Sequence, residues 1–198
     1  MHTSHLLFIH GFLLSALAAP LLLAAPPAQA LPESTRQLQQ IYYQQALIDR
    51  FYKAFAARDL DAMLAVYHPE IVFSDPVFGQ LKGREVGAMW AMLLQASEGR
   101  QLDISHHDVR VQNSLGLARW EARYQLAATG GRIHNRISAR FGFRDGLIAE
   151  HHDSFDLARW SAMAVPVWGS LLGGQPWFQG LFQGQARRQL QAFQAGKP

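Results

Sequence analysis

The stretch from Gln101 to Phe155 reads QLDISHHDVRVQNSLGLARWEARYQLAATGGRIHNRISARFGFRDGLIAEHHDSF, and its period decides the fold. Apolar and polar side chains alternate, the pattern of strands that bury one face. Three turn signals divide it: Asn113-Ser114, Thr129-Gly130-Gly131 and Arg144-Asp145-Gly146. Four strands follow, at about 102–113, 115–126, 132–143 and 147–156, joined as an antiparallel meander. On the third, Ile133, Asn135, Ile137, Ala139, Phe141 and Phe143 share one phase, and Arg132, His134, Arg136, Ser138 and Arg140 take the other. On the last, a three-residue turn with Gly146 in a bulge sets Leu147, Ala149, His151, Asp153 and Phe155 inward. A two-residue turn would bring His152 inward instead.

Upstream the period is helical. Leu38, Ile41, Ile48, Phe51, Tyr52 and Phe55 mark a helix over 35–57, and Arg58-Asp59 breaks it. Asp59 is a suitable N-cap for a short helix over Leu60–Tyr67, which Pro69 stops. Ile71-Val72-Phe73 forms a short strand ended by Asp75-Pro76, and Phe78–Gly83 reads as a turn. A further amphipathic helix spans about Arg84–Ala96, with Val86, Met89, Trp90, Leu93 and Leu94 inward. Helices followed by a meander give an α+β fold. Beyond about residue 158 the chain is rich in Trp, Phe, Gly and Pro, and a helix over about Gly180–Phe193 closes it. This tail is expected as a flap packed over the sheet rather than as a membrane-surface segment.

The chain has 198 residues, 49% of them hydrophobic, and no Cys, which excludes disulfides, a thiolate nucleophile and thiolate metal sites. Residues 1–30 carry no Asp, Glu, Lys or Arg, and Leu6–Leu23 is almost continuously apolar. With Ala28-x-Ala30 behind it, this segment is expected to be a secretory signal cleaved after Ala30. An uncleaved anchor is the alternative reading. The expected location is the periplasm or the outside, with residues 31–198 as a single domain. The 18 basic and 15 acidic residues are dispersed, and Arg187-Arg188 is the sole adjacent basic pair. No nucleic-acid partner is expected.

Several motifs carry a family resemblance: Phe51-Tyr52-x-x-Phe55, Asp59-Leu60-Asp61, Tyr67-His68-Pro69 and Phe73-x-Asp75-Pro76-x-Phe78-Gly79-x-Leu81-x-Gly83. Trp90-x-Met92-Leu93 and the run Asp145–Asp153 complete it. Together they resemble the SnoaL-like branch of the nuclear transport factor 2-like superfamily. The resemblance implies a cone: a strongly curved antiparallel sheet, a four-strand meander plus a short N-terminal strand, wrapped around a pocket that helices close. Dimers are common in such families, so a homodimer is expected. Phe155-Asp156-x-x-Arg159-Trp160 and Leu171-Leu172-Gly173 look like a bacterial subgroup of that branch.

The same resemblance points to candidate site residues. The general-base Asp of ketosteroid isomerase falls at Asp75, but the positions of its two oxyanion donors read Phe51 and Ala139, which cannot donate. In SnoaL-like cyclases and limonene epoxide hydrolase an acid late in the last strand works on the substrate, and Asp153 is similarly placed. The nearest match to the hydrolase Arg-x-Asp element is Arg119-Trp120-Glu121, whose charged members are expected in solvent. Asp153, Asp75 and His151 are therefore the catalytic candidates. Phe51, Phe55, Tyr67, Phe73, Phe78, Trp90, Trp120, Tyr124 and Asn135 are the candidate pocket wall. His106-His107-Asp108 and His151-His152-Asp153 repeat a tripeptide, but two intervening strands separate them, so no metal site is expected. Without a glycine-rich phosphate loop, no nucleotide cofactor is expected either. The leading reading is a secreted domain that binds a small apolar ligand. An acid–base isomerase, cyclase or hydrolase acting on a polycyclic or isoprenoid-like substrate through Asp153 or Asp75 is the alternative. A third is an interaction module using the outward Arg132, Arg136 and Arg140.

Overall fold

A computed structural model of the protein describes residues 32–126 and 129–196. The expected signal segment and its cleavage site lie outside the described residues. Helix α1 (Glu33–Ala57) buries Leu47, Ile48, Phe51, Tyr52 and Phe55 along one stripe. It stops at Arg58, whose φ of 59° is left-handed. A non-glycine residue bears that conformation here because its guanidinium donates to the Ser97 and Arg100 carbonyls, at 2.8 Å each. Asp59 then caps α2 (Leu60–Leu64), accepting from the Ala62 N–H at 3.0 Å.

The short helix ends three residues earlier than its sequence suggests, and Tyr67 already begins strand β1 (Tyr67–Asp75). Pro69 is tolerated there because the strand bulges. Between Tyr67 and Val72 the pairing slips by three residues, and Pro69 stays exposed. The expected turn at Phe78–Gly83 is instead mostly strand β2 (Gly79–Lys82), a hairpin partner of β1. Helix α3 (Arg84–Ala96) buries Val86, Met89, Trp90 and Leu94, whereas Leu93 remains partly exposed.

The meander forms as β3 (Leu102–Gln112), β4 (Leu115–Gln125), β5 (Arg132–Arg144) and β6 (Leu147–Ser154). The sheet has six strands in the order β2-β1-β6-β5-β4-β3. It is mixed rather than antiparallel throughout, because β1 runs parallel to β6. A parallel neighbour needs a long crossover, and here the chain between β1 and β6 supplies it with β2, α3 and the first three meander strands. The curved sheet and the helices packed on it make the cone fold.

The last hairpin corrects the expected turn. Arg144 pairs with Leu147, so the loop has two residues, Asp145 (φ 52°) and Gly146 (φ 75°), both left-handed. Alone, that loop would set His152 inward. However, Gly142 pairs with Glu150 and Phe143 with Ile148, leaving Ala149 as an extra residue. The bulge restores the phase, and His151 and Asp153 are buried. Leu147 and Ala149, expected inward, are only half-buried, and Ile148 enters the core in their place.

The tail is three helices: α4 (Leu157–Ala164), capped by Asp156, α5 (Pro166–Leu172) and α6 (Pro176–Gln194). Leu157, Trp160 and Ala164 form a satellite core with Ile133 of β5, joined by Phe182 of α6. Ala186 and Leu190 of α6 enter the main core. Trp168 and Trp177 do not pack inward and stand 63% and 58% exposed.

Candidate functional site

The concave face of the sheet, α3, α4 and α6 enclose a cavity of about 990 Å³. Its walls are mainly aromatic and aliphatic, among them Phe55, Phe73, Trp90, Trp120, Trp160 and Phe182. Three titratable side chains reach it: Asp75, Asp153 and Tyr124. Among the described residues, no Lys, Arg or His lines it.

Both carboxyls arrive through the parallel pair. Ser74 pairs with His152, so Asp75 and Asp153 occupy the next rung on adjacent strands, where backbones lie about 5 Å apart. Asp75 closes the turn after β1: its Oδ1 accepts from the backbone N–H of Val77, at 2.9 Å, and of Phe78. Burial pushes its carboxyl from an ordinary 3.8 up to about 7. The Phe78 N–H opposes the rise, the Asp153 charge adds to it, and the Val77 N–H opposes it more weakly. Such a group changes protonation state at neutral pH.

Asp153 is 8% exposed and anchored from two sides. Its Oδ1 accepts from Trp120 Nε1–H at 3.0 Å and lies 3.2 Å from His151 Nε2. His151 Nδ1 in turn lies 2.6 Å from the Tyr67 hydroxyl. With Tyr67 donating to Nδ1 and the imidazole proton on Nε2, each bond has one donor and one acceptor; this tautomer is assigned from the network. The His151 ring is fully buried, with the Phe141 centroid 4.4 Å away, Phe51 at 5.2 Å and Phe73 at 5.3 Å.

Phe55, Phe73, Phe78, Trp90, Trp120, Tyr124, Asn135, Asp75 and Asp153 thus line the cavity. Phe51, Tyr67 and His151 do not. They pack on one another in the core, the Phe51 and Tyr67 rings 5.1 Å apart, and His151 reaches the cavity only through its bond to Asp153. Desolvation raises the Tyr67 phenol well above its usual range, and the Asp153 charge adds to this. Tyr52, equally buried, is raised for the same two reasons, and its hydroxyl has no hydrogen-bond partner. Ala139, opposite Asp153 in the register, is core.

The charged members of Arg119-Trp120-Glu121 stay on the outer face. Arg119 meets Asp108 at 3.5 Å, and Glu121 is held by His134 at 2.7 Å and Arg123 at 2.8 Å. His106, on β3, bonds Asp49 at 2.8 Å, with two strands between it and His151. Among the described residues no group of three or more His, Asp or Glu is placed to hold a metal.

Sequence reasoning did not find the tail's share of the wall. Trp160 donates to the Tyr124 hydroxyl at 2.9 Å, and Phe182, Gln185, Gln189 and Phe193 line the cavity from one face of α6. Their spacing of three and four along a helix was the available signal. Burial raises the Tyr124 phenol, the Trp160 bond opposes that, and the charge of Asp75 adds to it.

Three solved structures are similar in fold. An LEH-like epoxide hydrolase from M. tuberculosis shares 19% identity at a TM-score of 0.52, covering 67% of this chain and 97% of its own. TerC, co-crystallised with polyporic acid, shares 16% at 0.54, covering 61% and 97%. A protein of ketosteroid isomerase-like fold from Catenulispora acidiphila, in complex with trimethylamine, shares 11% at 0.50, covering 59% and 90%. At these identities the likeness concerns the fold alone. No curated protein matches the chain. The model of the SnoaL-like domain matches residues 48–151, from the core of α1 to the buried histidine of β6. The chain therefore belongs to the SnoaL-like domain family.

Proposed function

We propose that this SnoaL-like domain is an acid–base enzyme acting on a small, largely apolar molecule, with Asp75 moving the proton and Asp153 supplying the fixed charge beside it. One observation carries the reading: two carboxyls on adjacent strands open into a single aromatic cavity whose walls, among the described residues, hold no cation. A carboxyl placed for structure alone is ordinarily paired or fully hydrogen-bonded. Here only Oδ1 of Asp75 is engaged by the turn, which leaves Oδ2 for chemistry. A carboxyl titrating near 7 is suited to general acid–base work at neutral pH.

The division of labour follows from the partners. Trp120 and His151 hold Asp153 in one orientation through its Oδ1, while Asp75 exchanges protons. Burial, with the Asp153 charge adding to it, keeps Asp75 basic enough to take a proton from a carbon acid or from a water. Asn135, the lining amide on β5, orients a polar substituent. A fold neighbour named as an epoxide hydrolase is consistent with proton-transfer chemistry on this scaffold, although a shared fold is only an analogy. A binder without turnover would be served by the apolar walls alone.

The test uses two probe classes, an enolisable bicyclic ketone such as 2-decalone in D2O and a cyclic apolar epoxide. Wild-type protein should accelerate deuterium uptake or ring opening, with kcat/KM changing around pH 7. Asp75→Asn should lose at least about 100-fold. Full activity in Asp75→Asn would overturn the role of Asp75. Saturable quenching of tryptophan emission by the ketone, with neither probe turned over, would replace the enzyme reading with ligand binding.

A further inference from the structure

All 15 acidic residues lie at or before Asp156, where 14 bases accompany them; residues 157–198 hold the other four bases, Arg159, Arg187, Arg188 and Lys197, and no acid. The same segment carries a concentration of exposed apolar side chains. Val167, Trp168 and Leu171 of α5 are 67%, 63% and 71% exposed, and Trp177 and Leu181 of α6 are 58% and 59% exposed.

The packing explains why these five face outward. Helix α5 is drawn against α4 through Gly169 and Gly173, which lie so close to Ser161 that a side chain at either would collide with it. Its opposite face carries Val167, Trp168 and Leu171. Helix α6 buries Phe178, Ala186 and Leu190 and lines the cavity with Phe182, Gln189 and Phe193. Trp177, Leu181 and Arg188 share the remaining stripe, at intervals of four and seven residues. Water is a poor partner for two tryptophans and three aliphatic side chains set this close in sequence.

We propose that α5 and the N-terminal half of α6 dock the protein on an anionic lipid surface. Tryptophan favours the headgroup level of a bilayer, where its ring is sheltered and its N–H still finds a polar partner. Leu171 and Leu181 supply apolar depth, and Arg188, farther along the Trp177 stripe, meets the lipid phosphates. A second copy of the chain fits this face poorly, since it would set one acid-free basic tail against another. The docking surface stands independently of the acid–base reading, because neither Asp75 nor Asp153 takes part.

Dibrominated phosphatidylglycerol in vesicles provides the test, since bromine quenches only tryptophans that touch lipid. Trp90, Trp120 and Trp160 are buried, which leaves Trp168 and Trp177 as the reporters. Full-length protein on vesicles of equal parts brominated phosphatidylglycerol and phosphatidylcholine should show quenching that falls with added salt. The Trp168→Ser/Trp177→Ser double variant should show none, even if another segment carries it to the vesicle. Leu171→Glu, which keeps both reporters, should weaken the quenching several-fold. Vesicle-bound protein whose tryptophan emission is unquenched overturns the proposal. So does quenching that Leu171→Glu leaves unchanged, or light scattering that shows Leu171→Glu dissociating a dimer built on this face.

Discussion

Replacing Asp75 by Asn should stabilise the protein at high pH and leave it nearly unchanged at low pH. An Asn keeps the Oδ1 acceptor that Val77 and Phe78 use, so the turn survives. What disappears is the titration. The folded-state pKa is raised from 3.8 to about 7, so between those values the folded protein binds more protons than the unfolded chain. Stability therefore falls as pH rises through this window, and the penalty is complete above about 7. At about 1.4 kcal/mol per pH unit the full rise corresponds to roughly 4 kcal/mol. Solvent reaching the half-buried carboxyl screens part of it, leaving about 2–3 kcal/mol. Urea denaturation of wild type and Asp75→Asn at pH 4 and pH 8.5 isolates the effect, since other titrating groups are common to both. The variant should gain about 2–3 kcal/mol on wild type between the two conditions, equivalent to roughly 5–10 °C in Tm. A difference that does not change with pH, or a variant weaker at both, would refute the burial of a carboxyl that titrates near neutrality. A substitution that stabilises the fold while abolishing turnover is also what a functional site predicts.

Trp120→Phe keeps the cavity wall but removes one donor from Asp153, and should cost about 1–3 kcal/mol in thermal or urea unfolding. Gly169→Ala places a methyl against the Ser161 backbone carbonyl and should cost at least about 1–3 kcal/mol; faster proteolysis within α4–α5 than in the rest of the chain would show the damage is local. Phe182→Ala removes an α6 ring from the cavity wall and should weaken binding of a bulky apolar probe such as 2-decalone more than it lowers stability, as compared by titration and melting.

The meander was legible because period-two alternation and turn residues are local signals, and the helix over Arg84–Ala96 was legible for the same reason. The β1–β2 region was not. Pro69 and the exposed residues around it mask a strand whose pairing tolerates a bulge, and parallel pairing leaves no turn between partners. The inward placement of His151 and Asp153 was anticipated for a different reason: the expected three-residue turn is a two-residue one, offset by the extra residue at Ala149. Aromatic residues presented a deeper ambiguity. Phe51 and Tyr67 belong to the core while Phe73 and Trp90 also form the cavity wall, and composition cannot separate the two, because both settings need large apolar side chains. The tail's helices were partly legible, but which of its tryptophans pack depended on Gly169 and Gly173 fitting against Ser161.

The parallel junction that the sequence concealed is also what brings the two carboxyls together. In an antiparallel pair the C-terminal end of one strand lies beside the start of the next, so a turn-closing Asp at the end of β1 would face the first residues of its neighbour. Because β1 and β6 run in the same direction, Asp75 and Asp153 both fall near the C-terminal ends of their strands, at one end of the sheet. There the turn N–H groups hold Asp75, and Trp120 and His151 hold Asp153. The bulge at Ala149 sets which face of β6 the second carboxyl occupies. Deleting Ala149 removes the extra residue alone: Ile148 then runs straight into Glu150, the pairings from Gly142 to Ser138 are kept, and His151 and Asp153 stay inward. Urea denaturation at pH 4 and pH 8.5 should therefore show the same pH-dependent gain from Asp75→Asn on this background as on wild type, and loss of the gain would refute the register.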